Sequence, residues 1–400
     1  MPPTVIQVRP LEVDELEAAW QLGRLAFGSA PTPAPSALAP LDGLTRYGAF
    51  DTAGRLLGKA VDLHHEQWWA GRRVAAADVA GVAVAPEARG RGVARALLRK
   101  LLADARERGA AVSALFPTIT GPYRSCGWEV AGALRAVDLP TVALPAHRPA
   151  PELTVRAGGS ADLAAVADLY DRIARHRCGL LTRRGGLFDQ APPTAGLPDG
   201  IDGLTLVEQD GHLVGYAAWS RGRGYDQHAV LTVEDILACT GGAARELVGV
   251  LASWRSVTPT VRLWPLAHDA VTAQLPLEQV RVHEERIWMH RPVDVARAVA
   301  DRGWPTGTRG RVDFALTDDN APWNTGFWRF EVDGGEARLH RIPDEPTLSL
   351  DVRGFALLYT GAADAYAVAE AGLSGGAAGA DPGPLDLLGA GPRADVLDYF

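Results

Sequence analysis

Apolar residues recur along this chain with two periods, and the way the periods alternate lays out the fold. Leu97, Leu98, Leu101, Leu102 and Ala105 fall on one helical face with basic residues opposite, and Gly109 stands where a helix-ending glycine belongs. Just upstream, Val82, Ala83 and Val84 close a short β-run. Residues 47–50 and 56–63 read as the strands of a hairpin around the turn residues Asp51 and Gly54.

The same order then returns. Ile6-Gln7-Val8-Arg9 before a helix containing Leu16 is echoed by Leu153-Thr154-Val155-Arg156 before a helix containing Leu163, and 204–208 and 213–219 flank Asp210-Gly211 as a second hairpin. Repetition at a constant offset predicts two similar α/β units in tandem. The proline-rich segment 139–151 reads as the linker between them. After Ile287-Trp288-Met289-His290-Arg291 the pattern changes to a short helix from Val293 and alternating strands at Val312, Phe314 and Leu316, at 327–332 and at 337–340. The end is helical or loop-like around Phe355, Leu357 and Leu358, with a Gly/Ala-rich stretch at 372–383. The expected division is 1–148, 149–289 and 290–400.

A chain of 400 residues with 47% hydrophobic and 22% charged content supports several packed cores, and no apolar run is long enough to span a bilayer. Without a leader-like N-terminus at Met1-Pro2-Pro3-Thr4, the expected location is the cytoplasm. A net charge of −8 argues against nucleic-acid binding and suits a cationic partner. Cys126, Cys178 and Cys239 form neither a disulfide framework nor a zinc pattern, so each is expected to be a small buried residue. His64, His65 and Glu66 resemble a metal cluster, but neighbours in a strand face opposite ways, and no metal is expected.

Chemistry concentrates where the first unit's β-run enters its helix, through Arg89, Gly90, Arg91, Gly92, Val93 and Ala94. Small residues let backbone approach an anion, unpaired N–H groups of the helix's first turn point at it, and the two arginines add charge. No Lys-Ser or Lys-Thr follows the glycines, and the three-glycine dinucleotide spacing is missing, which excludes the usual nucleotide-hydrolase and Rossmann readings. The second copy, Ala238-Cys239-Thr240-Gly241-Gly242-Ala243, has no arginine and is expected to hold no pyrophosphate.

Arg-x-x-Gly-x-Ala, from Arg89 to Ala94, resembles the acetyl-CoA motif of GNAT N-acetyltransferases. Leu115-Phe116-Pro117 and Tyr123-Arg124-Ser125-Cys126-Gly127-Trp128-Glu129 follow at the place where that family carries a tyrosine before a Gly-aromatic pair. Together with Trp69-Ala70-Gly71-Arg72-Arg73-Val74 and the three-part layout, the chain resembles the enhanced intracellular survival (Eis) family. The fold that this implies is mixed α/β and α+β: tandem GNAT folds, the second degenerate, with a sterol-carrier-protein-like C-terminal domain.

The resemblance further implies acetyl-CoA as donor, a small-molecule amine as acceptor, no membrane partner and a homohexamer. Val82, Ala83 and Val84 would line the pantetheine and acetyl portions, Tyr123 would be the general acid, and the C-terminal carboxylate of Phe400 the general base. A terminal carboxylate, at ~3.3–3.7, lies about six units below an amine's conjugate acid, so proton abstraction needs a closed pocket that narrows the gap. Where members carry an acidic residue before the terminal Phe, this chain has Tyr399, and Asp398 is the nearest substitute. Acceptor contacts are expected from the first unit's early helix and loop, including Trp20, Phe27 and the segment 28–41, with core packing the other reading of Trp20 and Phe27. Two other readings stay open: a non-catalytic lipid or small-molecule binding protein, and a protein-lysine acetyltransferase.

Overall fold

The computed structural model describes residues 6–28, 31–146, 148–188 and 196–400. The expectations for residues 1–4, for 29 and 30 within the 28–41 segment and for His147 in the linker lie outside them.

The helical period at 97–105 becomes the helix Val93–Arg108, whose apolar face is fully buried and whose last turn is closed by Gly109 in the left-handed conformation. The repeat is equally direct. Helices Leu16–Phe27 and Leu163–Ala174 match, as do the hairpins Leu44–Phe50 with Leu56–Leu63 and Gly203–Gln209 with His212–Arg221. Only Leu16, Ala19 and Gly23 of the first of these helices are buried. Phe27 is therefore 49% exposed, against its core-packing reading, and Trp20 is only partly covered.

One twelve-stranded sheet runs through both units. Its seam is the strand Arg281–Pro292, inserted between Val112–Leu115 and Glu129–Pro140 and antiparallel to both, with Met289 opposite Leu115 and Val130. The expected boundary at 289/290 thus falls inside a strand that closes the first unit's sheet. The linker also starts later than its prolines suggested. Leu139 and Pro140 are ladder residues opposite Val261 and Thr260, and Pro140 sits at the strand's end, where a missing N–H is tolerated. Cys126 and Cys178 are buried as expected, whereas Cys239 is exposed, in the connection between the strand Val230–Ala238 and the helix Gly241–Ser253.

The C-terminal domain is a five-stranded sheet in the order Glu336–Arg341, Gly326–Asp333, Arg309–Thr317, Leu348–Asp351, Ser374–Gly376, with the helix Val352–Thr360 packed on it. Its core is continuous with the first unit, since Trp69 and Trp288 share one buried cluster with Phe314, Phe355 and Tyr359. That continuity lets the last residues run back between the two units. There the Asp395 N–H donates to the Cys178 carbonyl (2.9 Å), and the Ala267 N–H donates to Asp395 Oδ2 (2.9 Å).

His290 lies in this shared core, stacked on Tyr359 and flanked by Trp69 and Trp288, with both ring nitrogens buried and unpartnered. Burial, helped by Arg302 and Arg291, pushes its pKa down to about 3. The unfolded chain therefore binds a proton near ~6.5 that the folded chain refuses, and stability falls as pH drops below that value by about 1.4 kcal/mol per unit. Urea unfolding of His290→Phe at pH 7.5 and 5.0 should show a shallower acid loss than the wild type. Parallel losses in the two proteins would assign the effect to other groups.

Candidate active site

The strand Asp78–Val84 pairs along one edge with Leu56–Leu63, but its other edge meets Val112–Leu115 only at Val79, opposite Leu115. Beyond Val79 that edge is open. Ladder alternation decides which groups face the opening. The Ala85 N–H donates to the Leu57 carbonyl (2.9 Å), so Ala83 also points toward the hairpin, and the backbone groups of Val82 and Val84 point into the cleft. Ala83, expected in the same set, turns its polar groups to the neighbouring strand and buries its side chain. A register shift opposite Lys59–Val61, with Gly81 at φ +56°, marks a bulge that bends this strand away from its former partner.

The cleft leads to the arginine turn. Gly90 and Gly92 sit at φ +73° and +81°, and nothing stands within 4 Å of where a Cβ would be. Gly92 is the N-cap of the helix Val93–Arg108 and brings no capping side chain, so its first-turn N–H groups face an open cradle with Arg89 and Arg91 exposed beside it. These are the kinds of donor and charge that bind phosphate groups. The second unit differs, because Thr240 Oγ1 accepts from the Ala243 N–H (3.1 Å) and occupies one of the donors an anion would use.

Tyr123 lies on the short helix Gly121–Arg124, and its hydroxyl makes no hydrogen bond to a described residue. Burial, with a smaller contribution from Cys126, pushes its pKa up to about 12, so the phenol keeps its proton at neutral pH. Its ring meets Trp128 edge-on at 6.4 Å, and Trp128 Nε1 donates to Ser113 Oγ (3.2 Å).

The loop carrying Tyr123 is held from distant parts of the chain. Arg291 donates to the Cys126 carbonyl and pairs with Asp318 at 2.5 Å, both side chains fully buried. Asp318 is further satisfied by the N–H groups of Asn320 and Ala321 and by Asn324 Nδ2, and Asn320 Nδ2 donates to the Ser125 carbonyl (3.0 Å). Glu129 binds Arg124 (2.8 Å) and Arg353 (2.6 Å). Burial pushes its carboxyl up, but the hydrogen bonds from Arg124, the Val130 N–H and Arg353 outweigh it and hold it below the usual range. Sequence reasoning missed Arg291, Asp318 and Arg353, because no local spacing links them to residues 121–129.

Phe400 packs its ring 5.1 Å from Phe116 and 5.2 Å from His65. Phe116 directly follows Val112–Leu115, where the two central strands part. The tail is bolted by Asp398, whose Oδ1 accepts from Arg183 Nε (2.9 Å) while Arg183 Nη1 reaches Asp235 Oδ2 (2.5 Å) and the guanidinium covers Tyr170. Asp398 is engaged by Arg183 through Oδ1, while its Oδ2 is buried without a hydrogen-bond partner among the described residues. Tyr399 is 58% exposed, with Arg286 over its ring at 3.9 Å. His64 and His65 lie not in a strand, as expected, but in the connection between Leu56–Leu63 and Glu66–Trp69, and they part there: His64 bonds Thr45 Oγ1 (3.0 Å) and His65 bonds Asp78 (3.0 Å). Among the described residues no group of His, Cys, Asp and Glu could hold a metal.

Residues 7–131 match the family model of an acetyltransferase (GNAT) domain, 179–298 match a second acetyltransferase (GNAT) model, and 295–382 match a sterol carrier protein domain. An uncharacterised N-acetyltransferase of Streptomyces avermitilis is 27% identical over 324 residues, 76% of each chain. Another from Streptomyces coelicolor is 29% identical over 328 residues, 76% of this chain and 75% of its own. Among solved structures, a GCN5-related N-acetyltransferase from Kribbella flavida superposes with a TM-score of 0.81 at 26% identity, covering 100% of this chain and 99% of its own. Eis1 from Mycobacterium abscessus shares the fold at a TM-score of 0.76 and 24% identity, over 98% of this chain and 100% of its own. The open strand edge, the arginine turn and the tyrosine loop all fall in or beside the first matched domain, and the chain accordingly carries two GNAT acetyltransferase domains followed by a sterol carrier protein domain.

Proposed function

We propose that the protein moves the acetyl group of acetyl-CoA to an amino group of a small cationic or amphipathic amine, aminoglycoside- or polyamine-like, by direct attack in a ternary complex. The observation that carries this reading is the open edge at Val82 and Val84 running straight into the Arg89–Ala94 turn. Backbone donors and acceptors along that edge suit the amide-bearing pantetheine arm, and the turn suits the diphosphate. Tyr123 donates its proton to the departing thiolate, and the Phe400 carboxylate receives the proton of the attacking amine. The likeness to the Eis layout supports this role for Phe400, and with it a homohexamer in the cytoplasm, whose assembly light scattering on the purified protein would check.

Thiol release measured across a panel of free amines and folded proteins tests the reaction. Turnover of free amines supports the proposal. Acetylation of folded proteins alone would replace it with a protein-lysine acetyltransferase, and tight lipid binding without acetyl-CoA affinity would remove the enzyme reading altogether.

The cradle has its own prediction. Charge-assisted hydrogen bonds contribute ~1.5–3 kcal/mol each, so the double substitution Arg89→Ala, Arg91→Ala should weaken acetyl-CoA binding by at least ~10-fold with the melting temperature unchanged. Wild-type affinity by calorimetry would overturn the assignment.

A further inference from the structure

Taken alone, the terminal carboxylate is a poor terminus for the acceptor's proton, because its reference pKa lies about six units below an alkylammonium's. The structure packs an imidazole against the ring of the residue that carries it. His65 sits two residues beyond the strand Leu56–Leu63, only 5% exposed, with its ring edge-on to Phe400 at 5.2 Å and tilted against Phe188 at 5.6 Å. His65 Nδ1 lies 3.0 Å from Asp78 Oδ2, and Asp78 is itself buried at the start of the open strand.

Asp78 is a fixed acceptor. Its Oδ1 receives the Ala114 N–H at 2.9 Å and Gln67 Nε2 at 3.4 Å, and Gln67 is oriented in turn by accepting from Trp69 Nε1 (3.1 Å). An acceptor-only carboxylate obliges His65 to carry its hydrogen on Nδ1, which leaves the Nε2 lone pair available. Nε2 bonds to no described residue. A buried histidine oriented by a carboxylate thus packs beside the residue assigned to receive the proton.

We propose that His65, oriented by Asp78, takes over the proton that the acceptor amine gives to the Phe400 carboxylate and returns it to solvent. The proposal rests on the acetyl-transfer reading above. The acceptor ammonium loses one proton to the carboxylate, which passes it through intervening water to His65 Nε2. The freed nitrogen lone pair forms the C–N bond while the C–S bond breaks. Tyr123 gives its hydroxyl proton to the departing sulfur and regains one from the nitrogen. The products are the amide, the free thiol and one proton shed by the imidazolium. Asp78, held against His65 Nδ1, supplies the negative charge beside the ring that takes the proton.

The charged surroundings of His65 come from several elements. Asp62 and His64 flank it from the Leu56–Leu63 strand and the residues after it, with Arg108 of the long helix on Asp62 (3.0 Å), and Asp398 approaches from the tail with Arg183 on it (2.9 Å). Arg108 and Arg183 are each paired with a carboxylate.

The test is the pH dependence of kcat/KM for an amine that the wild type accepts, measured on the full chain. Wild type should rise with pH through an inflection. His65→Gln, which keeps the size and a hydrogen-bonding group, should lose that inflection and turn over ~10²-fold more slowly at pH 7, with acetyl-CoA affinity unchanged. Asp78→Asn keeps an acceptor for the Ala114 N–H and should move the inflection to lower pH, because the imidazolium loses its charged partner. A purely structural role would leave the inflection where it was.

Should His65→Gln fail to fold, the Asp78→Asn profile decides alone. A His65→Gln enzyme with the wild-type rate and profile, or an Asp78→Asn profile superimposable on wild type, overturns the relay while leaving acetyl transfer standing. A wild type inert toward every amine overturns both.

Discussion

Tyr123→Phe lowers kcat by ~10²–10⁴-fold while acetyl-CoA binds as before. The ring that packs edge-on against Trp128 stays, and only the hydroxyl is lost. That hydroxyl bonds to no described residue, so removing it strands no buried partner and the loop should keep its place. The thiolate must then leave without a proton donor at its side. Pre-steady-state thiol release separates chemistry from product release, and a Phe variant with the wild-type chemical rate would remove Tyr123 from the acid role.

A single glycine added after Phe400 reduces turnover by about 10²-fold, because misplacement of a reacting group by ~1 Å already has that effect. The extension leaves the Phe400 ring on His65 and Phe116 and carries the carboxylate up to ~3.6 Å further along the chain. It also puts a neutral amide where the charge stood. Deleting Phe400 is the complementary change: the carboxylate retreats to Tyr399, whose ring is exposed under Arg286. The bolt at Asp398 and Arg183 survives in both variants, so melting temperatures should stay near wild type. If the extended chain acetylates amines at the wild-type rate, the base lies elsewhere.

Much of this was legible from the chain because the information is local. The helix at 93–108 follows from apolar spacing within itself, the two hairpins from turn residues between alternating runs, and the cradle from glycines and arginines contiguous with a helix start. Tyr123 was equally visible, since the motif that marks it spans only residues 123–129. Backbone direction was less so. Whether Ala83 or Val82 faces the cleft depends on which partner strand uses the alternate hydrogen bonds, and the bulge at Gly81 resets that count.

What only the tertiary structure decided are the contacts between residues far apart in sequence. Nothing in the period of residues 281–292 says that they complete the first unit's sheet, because an apolar strand face fits any open ladder of matching length. Arg291 meets Asp318, Arg183 meets Asp398, and His65 meets both Asp78 and Phe400 only after three cores have packed together. One trace of the last group was present: polar residues at Asp62, His65 and Asp78 sit in or beside strands that are otherwise apolar on their buried face. Read locally they are exceptions to a pattern. They become a site because burying a charge requires a partner, and the packing of the whole chain determines which partner arrives.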